Sequence, residues 1–378
     1  MKKAFIFFVF FMLLLTLLPA HEVSAESEPE ISSEAAILID AKSGSVLFEK
    51  NAEKKMYPAS LTKIATAIYA LEHGNLDDIV TVSETVSTVE GSKVYLEVGE
   101  QIALETLIQG LLVNSGNDAG VAIAEHMHGS VETFAEKLNS YLKYLGLKNT
   151  HFVNPHGLFD PNHVTTAEDL AKLTRYAIQN ETFRKIFGMK ELKWESKSWK
   201  TTIYTHHKLM REAPYEGVTG GKTGYTLRSK STLVTTAERE NISLIAVVLK
   251  GDTRNIVYDD TVKLLDYGFA HFKTAFIPKG ATFTANGDEY QVKEDFYYTQ
   301  KIDEHISKEV SGNGILHIKN ENQELIASLP LENKSLKKKE DENVKENAFH
   351  GIPFLFVFAV VLFFIWKAKK RTKTIRFH

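Results

Sequence analysis

The sequence predicts an α+β fold: an antiparallel sheet packed with helices, a small C-terminal β domain and one C-terminal transmembrane helix. Three observations carry this. A pair of strand-like runs opens the folded part and a second pair follows residue 230, with mostly helical periods between them. Short alternating runs with Gly replace that pattern from about 274. An apolar run, 351–366, stands near the end of the chain.

Taken in order, "MKK", an apolar stretch and "VSAES" read as a signal peptide, 1–25, with Val23 and Ala25 at the cleavage site. "AAILIDAKSGSVLFEKN" (35–51) reads as two strands around Lys42-Ser43-Gly44. In "YPASLTKIATA" and beyond, Leu61, Ile64, Ala65, Ile68 and Leu71 mark one helical face, and Gly74 is a stop. "ALETLIQGLLV" (103–113) is an amphipathic helix ending at "NSGND", and "AGVAIAEHM" restarts one. "TTAEDLAKLTRYAI" (165–178) carries a capping box, Thr165 with Glu168. "STLVTTAE" and "ISLIAVVLKG" form a hairpin, and "TVKLLDYGFAHF" (261–272) is a closing helix. The sheet should therefore take its edges from both ends of a domain spanning 26–273.

Beyond it, "TFTANGDEYQV" and "GILHIKN" place a small β domain at 274–331, and 332–350 is a charged linker. The run 351–366 reads as a transmembrane anchor and 367–378 as a basic tail kept in the cytoplasm. That predicts a single-pass protein of the cell membrane with 26–273 on the extracytoplasmic side. The net charge of −3 gives no hint of a nucleic-acid partner. The chain has no cysteine, which excludes disulfides and thiolate metal sites and leaves stability to the core.

One short motif raises the question of chemistry. Ser60 and Lys63 stand at i and i+3, one face of a helix, and a serine needs a base before it attacks a carbonyl. An N-cap beside a solvated lysine would look the same, and Ser140/Lys143 and Ser335/Lys338 repeat the spacing. Ser115-Gly116-Asn117 is weak alone, since Ser311-Gly312-Asn313 matches it, whereas Lys222-Thr223-Gly224 occurs once. All three motifs in this order are the set of penicillin-binding proteins and class A β-lactamases.

Over roughly 33–272 the chain resembles a D-alanyl-D-alanine carboxypeptidase of the low-molecular-mass penicillin-binding type, a serine peptidase of the SxxK kind. The likeness includes "PASLTKIATA", "LLVNSGNDAGVAIAEH", "FVNPHGLFDPNHVTTAEDLAKL" and "GGKTGYT", and is closest to the sporulation-associated Gram-positive kind. The resemblance implies the penicillin-binding/β-lactamase-like transpeptidase fold. It implies a peptidoglycan stem peptide ending in D-Ala-D-Ala as substrate, and β-lactam antibiotics as covalent inhibitors. On it, Ser60 is the nucleophile, Lys63 its base, Ser115 a proton relay and Asn117 a hydrogen-bonding anchor. Lys222 and Thr223 face the terminal carboxylate, Gly224 allows close approach, and the N–H groups of Ser60 and Tyr225 form the oxyanion hole.

An arginine that grips the carboxylate is expected too, and Arg228, Lys230 and Arg254 compete for it. No cofactor and no metal are implied: His126 with His128, and His206 with His207, lack the spacing of H-E-x-x-H. His156 takes no role. A β-lactamase would need a glutamate to activate water, and Glu168 sits in a capping box. A non-enzymatic β-lactam sensor would need a larger output domain than the basic tail.

Overall fold

The computed structural model describes residues 28–334. In chain order its elements are β1 (Ala35–Asp40), β2 (Val46–Lys50), α1 (Thr62–His73), β3 (Ile79–Thr81), β4 (Gln101–Ala103), α2 (Leu104–Val113) and α3 (Asn117–His128). Then come α4 (Val131–Tyr144), α5 (Ala167–Ala177), α6 (Glu181–Phe187), β5 (Glu191–Glu195), β6 (Lys200–Tyr204), β7 (Val218–Thr226), β8 (Lys230–Arg239), β9 (Ile242–Gly251) and α7 (Arg254–His271). The last region holds β10 (Phe272–Ile277), β11 (Thr282–Ala285), β12 (Asp288–Gln291), β13 (Phe296–Lys301), β14 (Ser307–Val310), β15 (Ile315–Lys319), β16 (Leu325–Pro330) and β17 (Glu332–Asn333).

A five-stranded antiparallel sheet ordered β2-β1-β9-β8-β7 is the frame. Its central strands are apolar on both sides. Along β1, Ala35, Ile37 and Ile39 pack with α1 to α6, while Ala36 and Leu38 pack with α7. β9 alternates likewise, Ile245, Val247 and Leu249 against Leu244, Ala246 and Val248. Both faces are covered, which is why these strands read as continuous apolar runs rather than alternating ones. Gly268 lets α7 lie close: a Cβ there would sit 2.7 Å from Leu244 Cδ1.

The later strands form smaller sheets around Ile277, Val292, Tyr298, Leu316 and Ile318. Asp40, fully buried at the end of β1, joins this region to the first. Its Oδ2 accepts from Thr274 Oγ1 at 2.8 Å and Thr299 Oγ1 at 2.7 Å, and its Oδ1 from Lys42 N at 2.8 Å.

Several elements differ from the sequence expectation. The N-cap of α5 is Thr166, which accepts from Asp169 N at 3.0 Å, because Thr165 is held in a bridge to Met56. The closing helix starts at Arg254, not 261, capped by Thr253; its first turns are polar on the outside and hide the apolar period. Lys222, which the sequence places leading into a strand, lies inside strand β7. Helices α4 and α6 and the hairpins β3–β4 and β5–β6 were not anticipated.

The expected transmembrane helix, and with it the single-pass membrane location, is corrected. Among the described residues no helix is long and apolar enough to cross a membrane. The longest of them, α7, carries Arg254, Asp259, Asp260, Lys263 and Asp266. The segments 1–25, 351–366 and 367–378 on which those readings rested lie outside the described residues, as does the linker beyond Lys334.

The extended segment before β1 is pinned by one carboxylate. Asp260 of α7 accepts from Ser32 N at 3.0 Å, Ser33 N at 2.7 Å and Ser33 Oγ at 2.6 Å, in a buried setting. An unsatisfied buried donor costs about 1–3 kcal/mol. Asp260→Ala is expected to lower unfolding free energy by about 3 kcal/mol on that scale, read by urea denaturation. A loss below about 0.5 kcal/mol, the range of ordinary surface substitutions, would show that the segment is not held there.

Candidate active site

Ser60 sits in a single 3₁₀ turn, Ala59–Leu61, that runs straight into α1, and it makes no capping bond. The N-cap alternative therefore fails. Lys63, one turn on, is fully buried, so it is no solvated surface charge. Its Nζ lies 2.9 Å from Ser60 Oγ, 2.6 Å from Asn117 Oδ1 and 2.7 Å from the carbonyl of His156.

Those partners bear on the protonation state. A neutral amine has two N–H bonds and one lone pair; two carbonyl-type acceptors and one hydroxyl complement it fully. Burial holds the Lys63 amine well below its ordinary pKa, Lys222 pushes it the same way, and Asp118 opposes them.

Asn117 is the first residue of α3. Its Nδ2 donates to Glu90 O at 2.6 Å, which turns Oδ1 toward Lys63. Next to it, Asp118 braces the facing loop by accepting from Val94 N at 3.0 Å and Leu96 N at 3.1 Å. Ser115, in the turn between α2 and α3, is buried and left-handed, with φ of 61°.

β7 supplies the opposite wall. Lys222 is buried, donates to Thr223 O at 3.1 Å, and is pulled down to about 7 by burial. Beneath the strand lies His207, also buried, with Nε2 2.8 Å from Thr235 Oγ1 and a pKa pushed to about 3 by burial and then Lys222. Gly224 faces Ser60: a Cβ there would sit 2.9 Å from Ser60 N.

Between these walls opens a cleft of about 490 Å³, lined among others by Ser60, Ser115, Thr223, Gly224, Tyr225 and Arg254. Of the competing cations, Arg254 alone lines it. Arg228 lies over the Phe159 ring at 5.8 Å, and Lys230 is a left-handed residue where β8 begins. The structure thus brings together Ser60, Lys63 and Asn117 by direct bonds, and Ser115, Thr223, Gly224 and Tyr225 around the same space.

Sequence reasoning missed the His156 carbonyl, because a backbone acceptor leaves no mark in residue type. The turn that aims it was visible: in Asn154-Pro155-His156-Gly157, Asn154 Oδ1 accepts from Gly157 N at 2.7 Å, and Gly157 has φ of 89°. The His156 ring turns to its own loop, where Nδ1 accepts from Leu158 N at 3.3 Å.

The rival motifs lie elsewhere. Ser140 bonds back to Glu136 O at 2.9 Å within α4, and Ser311 donates to Asn313 in a β-domain turn. Ser335 and Lys338 lie outside the described residues. His126 meets Asp78 at 3.2 Å and His128 meets Tyr69 at 2.9 Å. Glu168 pairs with Lys172 at 2.7 Å, away from the cleft, whose lining includes one carboxylate, Asp252.

Comparison with known proteins shows the family. The profile of the family described as D-alanyl-D-alanine carboxypeptidase matches residues 22–253. The chain is 35% identical over 273 residues to D-alanyl-D-alanine carboxypeptidase DacF of Bacillus subtilis, covering 70% of each. It is 36% identical over 284 residues to DacA of Haemophilus influenzae, covering 68% of each. Among solved structures, penicillin binding protein 5 from Haemophilus influenzae superposes with a TM-score of 0.74 at 30% identity, over 81% of this chain and 98% of that one. On family profile, relatives and fold together, this chain belongs to the D-alanyl-D-alanine carboxypeptidases, the serine peptidases of the low-molecular-mass penicillin-binding type.

Proposed function

We propose that this carboxypeptidase cleaves the D-Ala-D-Ala end of peptidoglycan stem peptides through an acyl-enzyme on Ser60. The observation that carries the proposal is the buried Lys63 Nζ, 2.9 Å from Ser60 Oγ, 2.6 Å from Asn117 Oδ1 and 2.7 Å from His156 O, so that its neutral form can give both N–H bonds to the two carbonyl oxygens. Its lone pair is left for the Ser60 proton. Ser60 Oγ then attacks the penultimate carbonyl, and the N–H groups of Ser60 and Tyr225 receive the oxyanion. Ser115 passes the proton to the departing D-alanine nitrogen. Water attacks the resulting ester, and the same groups run in reverse. Lys222, Thr223 and Arg254 hold the terminal carboxylate, and Asn117 holds Lys63 in place. A β-lactam enters the same path, and its opened ring stays on Ser60.

A β-lactamase reading finds no support in the position of Glu168, which is committed to Lys172 on a helix surface.

Penicillin is expected to label the protein at Ser60, and Ser60→Ala to abolish labelling while circular dichroism stays unchanged. Adduct found by mass spectrometry at any other serine would overturn the assignment.

The pH dependence follows from two amines with opposite requirements. Lys63 must be neutral, so acylation rises with pH as it loses its proton, at a pH well below its usual 10.5. Lys222 must be charged to bind a carboxylate, so affinity falls as pH rises through its value of about 7 in the free enzyme. kcat/KM for a D-Ala-D-Ala pentapeptide from pH 5 to 10 is therefore expected to be bell-shaped. Lys63→Arg should lower acylation by at least about 10² to 10⁴, since a guanidinium stays protonated. A folded Lys63→Arg enzyme with near-normal acylation would mean another base.

Arg254→Ala is expected to raise KM for the pentapeptide about 10- to 100-fold, the range for losing a hydrogen bond to a charged group. Arg228→Ala should leave KM within about threefold, the range of an ordinary surface substitution. The reverse pattern, from steady-state kinetics, would move the carboxylate to the other arginine.

A further inference from the structure

We propose that Thr62, backed by His163, is a positioning residue that aims the Ser60 backbone N–H into the cleft. The proposal rests on the reading of Ser60 as nucleophile.

The residue before Ser60 is held in an unusual conformation. Ala59 has φ of 50°, in the left-handed region that residues with a Cβ rarely adopt. Both carbonyls around it are anchored by hydroxyls. Pro58 O accepts from Thr232 Oγ1 of β8 at 3.0 Å, and Ala59 O accepts from Thr62 Oγ1 at 2.9 Å as well as from the Thr62 backbone N–H.

A threonine bonding back three residues is common at a helix start, and alone would mean little. Here a second group, 101 residues away in sequence, fixes the direction of that bond. His163 Nε2 lies 2.8 Å from Thr62 Oγ1. The other ring nitrogen, Nδ1, accepts from Val153 N at 3.1 Å. A backbone N–H can only donate, so Nδ1 carries no hydrogen and Nε2 does. Nε2–H then donates to Thr62, whose own hydrogen goes to Ala59 O. The chain runs one way: Val153 N–H, His163, Thr62, Ala59 carbonyl. His163 is buried and stacked on Phe152 at 4.7 Å. Burial first, then His151 and Lys63, hold it neutral down to about pH 3, so the tautomer persists through the working range.

Peptide planarity turns this anchor into an aiming device. Ala59 C=O and Ser60 N–H belong to one peptide unit, and in a trans unit they point in opposite directions. With the oxygen tied inward to Thr62, the N–H faces the other way, toward Gly224. A Cβ at Gly224 would fall 2.9 Å from Ser60 N, so the glycine leaves room for an incoming oxygen. On the inner side Gly157 leaves room for the carbonyl: a Cβ there would stand 1.8 Å from Ala59 O. Neither Thr62 nor His163 is bonded to Lys63, so the device works on the oxyanion and not on the base.

The test is the saturating rate of benzylpenicillin acylation, the noncovalent Kd and the pH midpoint of acylation, on the full chain. Thr62→Val keeps the shape and removes the hydroxyl. Loss of one oxyanion donor costs about 10²- to 10³-fold, so a misaimed donor is expected to cost about 10- to 100-fold in the saturating rate. Kd and the pH midpoint should stay put, and Thr62→Ser should recover the rate to within a few-fold. His163→Asn, which keeps an acceptor for Val153 but cannot reach Thr62, should lose at least about threefold in rate with the same unchanged Kd and midpoint; it carries the test if Thr62→Val does not fold. A normal rate in the folded variant, or a loss that comes with a shifted pH midpoint, would overturn the proposal. Ser60→Ala in the same assay separates the two levels: if it still acylates, the reading of Ser60 fails; if it is dead while Thr62→Val is normal, only this inference does.

Discussion

Everything in the site depends on keeping one lysine dry. An ammonium taken out of water is penalised by several kcal/mol unless it is paired, and among the described residues no carboxylate touches Lys63. The cheaper solution is to release the proton, and the fold provides the acceptors that a neutral amine can use. Those acceptors come from separate places: Ser60 ahead of α1, Asn117 at the head of α3, and the carbonyl of His156 in a loop. Lys222 adds a second amine on the facing strand, lowered by burial as well. Two neighbouring buried amines cannot both charge easily, so whichever is protonated favours the neutral form of the other.

Holding three segments to tenths of an ångström requires a rigid frame. The sheet supplies it because β1 and β9 are packed on both faces, so shifting either strand would mean repacking two close-packed cores at once. β7 lies at the sheet's edge, so one side of its backbone is left for a peptide to pair with. Strain gathers where the frame meets the chemistry. Ala59 and Ser115 are both left-handed, next to the proposed nucleophile and at the proposed relay, and such conformations persist only where the surroundings over-determine them.

Legibility from sequence varied with the range of the interaction. The β1–β2 hairpin around Lys42-Ser43-Gly44, helices α1 to α3 and the β8–β9 hairpin could be read from periodicity and turn residues, which are local properties. Local reading slipped where a long-range contact chose between neighbours. Thr165 and Thr166 are equally good caps by type, and the bridge to Met56 takes the first. α7 begins earlier than its apolar period because Thr253 caps a polar turn.

The site divides the same way. Sequence by itself determined the residue types and their near spacing: a serine and a lysine one helical turn apart, a Ser-Gly-Asn turn between helices, a Lys-Thr-Gly motif leading into a strand. Only the tertiary structure decided which of these meet. The spacing at Ser140 and Lys143 matches that at Ser60 and Lys63, yet the first pair lies on the surface of α4 and the second lies under α3 and the 154–157 loop. Tertiary structure also set Arg254, rather than Arg228 or Lys230, in the cleft wall. The physical reason is that a lysine's proton and a cation's reach depend on burial and on charges brought from far along the chain, and neither is a property of spacing.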